Sequence, residues 1–370
     1  MNLTWMNNGF ICKELYAPFV LQKDCDYLRD LRSKYDLILK QANGAGADEQ
    51  SIKIIERFKG KILEAVRSYY RADITRCNRI VFNLIKDIGD EKPAASLLDE
   101  SYAFFGTGEL QLFRCRVGNS SKAYTAKEML HLPYSMRAKT GNYRFSIPGS
   151  PSLYLANSSY GCWIETGYPN DNDFNVSPVL LDGTQKIFNL VVAIRDLHSL
   201  NDGDEQRVHC WLKLIMLNIA TSYRIEEADR SFKSEYIISQ AIMMACKKLG
   251  FDGVAYYSKR VSDEIFASCA INLALFVDYK GEYSDVINHM KMDNSLNFSL
   301  YKKLNASKRS NEYNLRSVQT ILPTNIGNYE RQFSYKETDF YALDVFLFST
   351  WSAYEKNNKD AIPWGVPVNE

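Results

Sequence analysis

The chain has 370 residues, enough for about two or three packed units, and its 46% hydrophobic and 24% charged content is that of a globular protein with a real core. Its 45 Lys and Arg balance 44 Asp and Glu, so no global charge excess draws the molecule to nucleic acid or to an acidic membrane, and the 13% aromatic share argues against disorder. The eight cysteines, at 12, 25, 77, 115, 162, 210, 246 and 269, form no CxxC pair and have no histidine at ligand spacing. No metal site is therefore expected, and most read as buried, reduced thiols. The N-terminus lacks a basic start followed by an apolar stretch, and no window reaches the roughly 18–20 apolar residues of a membrane span, so the expected location is the cytoplasm.

Residues 1–104 read as a mainly helical region. After a helix near 25–39 and a loop at 44–51, Ile52, Ile55, Phe58, Ile62, Val66 and Tyr69 recur at three-to-four spacing. Ile74, Cys77, Val81, Leu84 and Ile88 repeat the pattern beyond Arg71, Ala72 and Asp73, which predicts a helical hairpin. This stretch, 51–90, holds nine basic against five acidic residues, an excess that fits a solvated face better than a nucleic-acid surface. From 110 the texture changes to short apolar or alternating runs bounded by Gly, Pro, Asn and Asp, predicting strands at 111–117, 151–156, 185–194, 252–258 and 271–277. Helical spacing at 207–224 and 234–249, the latter capped by Gly250, falls between them without regular strand-helix alternation, so the expected class is α+β. The resulting organisation is a helical region over 1–104, a mixed domain over 105–278 and a polar, tyrosine-rich extension over 279–370. In that extension 340–351 is the clearest ordered segment.

The residues that could carry chemistry cluster in the mixed domain. Arg114 and Arg116 alternate with Phe113 and Cys115, which sends both guanidinium groups to one face of a strand. There they could grip phosphate oxygens, or simply face solvent. Arg144 directly precedes the Ile147-Pro148-Gly149 turn, which would fix its position. Tyr154 falls on the strand face opposite Leu153 and Leu155, as a half-buried sheet tyrosine or a stacking group. Glu165 lies on a short helix begun by the Asn157-Ser158-Ser159 cap signal. It reads as a surface acid or as a carboxylate able to stabilise an oxocarbenium-like sugar when a glycosidic bond breaks. Ser258 ends a strand, and without an activating histidine it is a hydrogen-bond donor rather than a nucleophile. His131, His198, His209 and His289 fall in no recognisable triad or metal pattern, and neither GxGxxG after a strand nor GxxxxGK[ST] occurs. A cation, an aromatic and a carboxylate brought to one cleft suit a ligand with phosphates, a flat ring and a sugar, of which a dinucleotide such as NAD is the best candidate.

In order, Phe113-Arg114-Cys115-Arg116, Leu132-Pro133, Tyr143-Arg144-Phe145, Pro148-Gly149 with Pro151, the LYLA run 153–156, Glu165, and the GFDGVAYYS run 250–258 with Asn272-Leu273 resemble a RES domain over about 105–278. The chain departs from that family's usual Gly-Arg-Trp-Asn motif at Tyr143-Arg144-Phe145-Ser146. The resemblance implies a β core like that of ADP-ribosyltransferases with surrounding helices, and consumption of NAD as substrate with no prosthetic group, as in toxins of RES-Xre toxin-antitoxin pairs. It further implies that Arg114, Arg116 and Arg144 hold the phosphates and that Tyr154 sits against the nicotinamide or its ribose. Glu165 would support the ribosyl cation and Ser258 would line the pocket. The expected function is cleavage of the nicotinamide–ribose bond, as a glycohydrolase or phosphorylase acting as a toxin or defence effector. An Xre-type antitoxin or other inhibitory protein is the expected partner, and the additional helices would regulate access, mediate self-association or contact that partner. The alternatives are transfer of ADP-ribose to a macromolecule, and a nucleotide- or partner-binding module without turnover.

Overall fold

The computed structural model of the protein describes residues 13–21, 25–89, 110–118, 123–192, 194, 205–227, 230–261, 270–307 and 335–357. Cys12, Cys269 and His198 lie outside the described residues. The helices are α1 (Tyr27–Ala45), α2 (Glu49–Tyr70), α3 (Ile74–Gly89), α4 (Ala126–Met129), α5 (Ser159–Glu165), α6 (Glu205–Thr221), α7 (Ile237–Lys248), α8 (Phe298–Ser307) and α9 (Asp339–Asn357). The strands are β1 (Phe19–Val20), β2 (Leu110–Val117), β3 (Ser152–Ala156), β4 (Phe174–Leu181), β5 (Ile187–Leu190), β6 (Tyr223–Arg224), β7 (Gly253–Tyr257), β8 (Ile271–Phe276), β9 (Met290–Met292) and β10 (Leu296–Asn297). The class is α+β, and the chain divides into two compact units that interleave along the sequence.

The first unit gathers Met1–Tyr102, Gly141–Ile147 and Lys186–Glu264. Helix α1 buries Tyr27, Leu31, Tyr35, Ile38 and Ala42, one stripe at three-to-four spacing. The Tyr27 and Tyr35 hydroxyls donate to the Ala220 and Met216 carbonyls, each at 2.7 Å, so the stripe is tied to α6 by satisfied polar ends. The predicted loop at 44–51 shortens to three residues, because α1 continues to Ala45 and closes on Gly46 in the left-handed conformation (φ 79°). Asp48 then caps α2, accepting from the Ser51 amide at 2.8 Å. The predicted helix at 207–224 stops at Thr221, and Tyr223–Arg224 instead form β6, which pairs in parallel with β1. Of the predicted strand 185–194, Ile187–Leu190 is strand, paired in parallel with β7.

The second unit, Ala103–Thr140, Pro148–Gln185 and Ile265–Glu370, holds an antiparallel sheet in the order β10-β4-β2-β3-β8, with β9 also on β4. Strand β4, which periodicity does not announce, carries Pro178. A proline argues against an inner strand, but Pro178 falls between the two ladders on its far side, with β10 ending at Val176 and β9 beginning at Val179. Its missing N–H therefore costs no ladder bond there. Among the described residues after 278, β9 and β10 extend the sheet and α8 and α9 cover it, where the polar texture announced only the segment 340–351. Phe113, Phe174, Val176, Cys162, Phe298, Tyr301, Leu343, Leu347 and Phe348 form the core between sheet and helices. Each fully buried large side chain there contributes about 1.5–3 kcal/mol.

Candidate active site

Two groups of the sequence-selected residues are built separately, one in each unit. In the second unit, antiparallel partners share a face, so the register Phe113↔Ala156↔Asn272 and Tyr154↔Ala274 places Tyr154, Ala156 and Asn272 on the face of Phe113 and Cys115. That face is covered by α5, whose start at Ser159 with Ser158 as cap matches the sequence signal, the Ser158 hydroxyl accepting from the Gly161 amide at 2.8 Å. Gly161 permits the close approach, since a Cβ there would lie 3.3 Å from the Ala270 Cα and 3.4 Å from the Ala156 Cβ. Glu165 is the last residue of α5, and its Oε1 accepts from the Asn272 Nδ2 at 2.6 Å. The structure thus gathers Tyr154, Glu165 and Asn272 on one face. Asn272 had no role beyond its place in the motif order, because a partner 107 residues from Glu165 leaves no local signal.

Arg114 and Arg116 leave β2 on the other face, opposite the apolar pair as the alternation predicts. The β2–β3 ladder is recorded only at Phe113↔Ala156. Beyond that pair the Arg114 guanidinium donates to the Tyr154 carbonyl at 2.9 Å through Nη1 and to the Met129 carbonyl at 3.2 Å through Nε. Its contact with Tyr154 is therefore to the main chain. Among the described residues Nη2 of Arg114 has no acceptor. Burial pulls the Arg114 pKa below its ordinary value. Arg116 lies over the Tyr124 ring, 5.5 Å from its centroid. On the α5 side, a hydrogen bond between the Cys115 and Cys162 side chains holds Cys115 below the usual thiol range, while burial pushes Cys162 well above it.

The first unit holds Arg144 and Ser258. Arg144 sits in a tight turn closed by the Tyr143↔Ser146 bridge and stapled by Gln240 of α7, whose Nε2 donates to Asn142 Oδ1 and to the carbonyls of Tyr143 and Ser146, the latter two at 3.1 Å. The expectation of a guanidinium presented to phosphates needs correction. Arg144 is buried, its Nη1 donates to the Thr221 carbonyl and its Nη2 to the Tyr223 carbonyl at 2.7 Å, and the group lies over the Tyr236 ring. The physical reason is that Thr221, the last residue of α6, has a carbonyl without an intrahelical donor, and the guanidinium fork satisfies it together with the carbonyl of Tyr223 in β6. Gln240, the other part of this arrangement, sat unremarked in the α7 pattern. Ser258 follows β7, is buried, and its Oγ accepts from the Arg260 amide at 3.2 Å. Among the described residues no group of three or more His, Cys, Asp or Glu could hold a metal ion, and no helix is long and apolar enough to cross a membrane.

Comparison with known proteins adds three findings. The protein "Putative toxin YopC" of Bacillus subtilis (strain 168) is 29% identical over 173 residues, a match spanning 41% of this chain and 37% of that protein. One chain in the crystal structure of the M. tuberculosis MbcT-MbcA toxin-antitoxin complex is 15% identical, with a TM-score of 0.28 over 54% of this chain and 90% of that one. The family model described as RES domain matches residues 112–296, from within β2 to the start of β10. With that match taking in half of its residues, the chain belongs to the RES domain family.

Proposed function

We propose that the protein consumes NAD by breaking the bond between nicotinamide and its ribose. The observation that carries this reading is the Glu165 carboxylate, fixed at 2.6 Å by Asn272 on the face that also carries Tyr154. When the C1′–N bond breaks, its electron pair leaves with the ring and neutralises the pyridinium, so no acid is needed to protonate the leaving group. Positive charge develops on the ribose. A carboxylate already oriented toward it lowers the barrier because no dipole has to reorganise during the reaction. Tyr154 supplies a flat wall for the nicotinamide or its ribose. Arg114 and Arg116 leave β2 on the face opposite Tyr154 and Glu165, and it is the family resemblance that assigns them to the phosphates, Arg114 reaching the Tyr154 main chain through Nη1 while its Nη2 has no acceptor among the described residues. Arg144 and Ser258 act by shaping their surroundings, since both are buried and hydrogen-bonded.

Either water or phosphate completes the reaction by adding to C1′, water losing a proton as it does so. In the same reading the protein is a toxin or defence effector working in the cytoplasm and restrained by an Xre-type antitoxin or another inhibitory protein. The name carried by the Bacillus subtilis relative, a putative toxin, supports the toxin role in this reading. The test is purified protein incubated with NAD and followed by chromatography. Nicotinamide release is expected, with free ADP-ribose if water is the acceptor, its phosphate ester if phosphate is, and labelled macromolecule if ADP-ribose is transferred. Glu165→Gln should lower kcat by about a hundredfold with little change in KM. NAD that stays intact while bound would overturn the reading in favour of a binding module.

A further inference from the structure

Helix α9 lies beyond residue 296, where the family match ends, yet it carries a fully buried carboxylate aimed at the helix that ends in Glu165. Asp344 Oδ1 accepts from the Ser159 amide at 3.1 Å, and Oδ2 accepts from the same amide at 3.4 Å and from the Tyr335 hydroxyl at 2.6 Å. The Ser159 hydroxyl in turn donates to the Phe340 carbonyl at 3.3 Å. Along the same helix, Tyr160 beside Ser159 and Trp163 one turn further each meet the Phe340 ring at 5.4 Å, and Phe340 stacks on Phe298 at 4.8 Å. Helix α5 spans only seven residues, too few to be stable by its own hydrogen bonds. Its first turn is held by a side chain 185 residues away, and its last residue by Asn272.

We infer that Asp344 is a positioning residue, which anchors the start of α5 from helix α9 and so sets the place of Glu165 at its end. The segment beyond the family match is then part of the catalytic unit. No basic side chain among the described residues pairs with Asp344; the titratable groups facing it are Tyr335, from the turn before α9, and Cys162 of α5. A carboxylate is costly in such surroundings, and its two ordered acceptor oxygens are what it provides in return.

The catalytic part of this inference rests on the NAD-consuming reading, and the test separates the two. In the full chain, hydrogen exchange of the 159–165 amides is measured for wild type, Asp344→Ala and Asp344→Asn, with kcat and KM for NAD alongside. Asp344→Ala is expected to speed exchange across α5 by about tenfold or more while α2 is unchanged, and to lower kcat by a similar factor with KM nearly constant. Asp344→Asn, which keeps an acceptor for the Ser159 amide, should recover most of both. If Asp344→Ala does not fold, Tyr335→Phe, which removes one of the two donors, must show the same pattern in smaller measure. Unchanged α5 exchange in a folded variant overturns the anchoring, and loosened α5 with unchanged kcat overturns the link to Glu165. Wild-type protein that leaves NAD intact sinks the NAD reading and the link to turnover, while the exchange measurement still decides the anchoring.

Discussion

Asp344 makes the dependence of stability on pH a quantitative test of how α9 is seated. Burial is the largest influence on its carboxyl and raises the pKa from 3.8 to about 7, against the lowering effect of the hydrogen bonds from Ser159 and Tyr335. Between those two values the unfolded chain has released the proton that the folded chain retains, so the folded state binds more protons and stability falls as pH rises. A displacement of about 3 pH units at ~1.4 kcal/mol each gives a loss of about 4 kcal/mol between pH 4 and pH 7, and no further change above about 7. Asp182 acts in the opposite sense: burial would raise its pKa, but hydrogen bonds from Thr184, His289 and Gln185 outweigh it and bring it down to about 2. Such contributions cancel when wild type is compared with Asp344→Asn, which cannot ionise. The assay is urea unfolding of both proteins at half-unit steps from pH 4.5 to 8.5. The stability difference should move steadily in favour of Asp344→Asn up to about pH 7 and then level off. A difference that stays flat across the range would refute an Asp344 buried against α5 with no basic partner among the described residues.

Three further predictions follow from named contacts. Replacing Asn272 by Ala removes the donor that fixes Glu165 and should cut NAD turnover by about tenfold, chiefly in kcat, as read by nicotinamide release. Gly161→Val places methyl groups against Ala270 and Ala156, where even a Cβ is tight, and should cost about 1–3 kcal/mol in denaturant unfolding. Gln240→Ala leaves the carbonyls of Tyr143 and Ser146 without their shared donor and should destabilise the Arg144 turn by about 1–3 kcal/mol, seen as faster amide exchange at 143–146.

Local order was legible in the sequence wherever it depends on nearest neighbours. The apolar stripes of α2 and α3, the Ser158 cap of α5, the left-handed Gly250 after α7, the alternation in β2 and β3 and the mainly apolar runs of β7 and β8 each follow from spacing and turn chemistry within a few residues. The ordered motifs from Phe113 to Asn272 gave the family, because each occupies its place by local composition. Strand β4 was hidden since a proline is tolerated only by virtue of where β9 and β10 happen to end. The partners of the candidate site were hidden for the same reason. Whether a guanidinium meets phosphate or the carbonyls of a helix end, and whether a carboxylate is held by Asn272 or reached from Asp344, depends on which distant segments fold against it. Sequence determined the elements and the inventory of reactive groups, and tertiary structure decided their partners, because hydrogen-bond geometry and burial exist only once segments far apart in the chain have packed together.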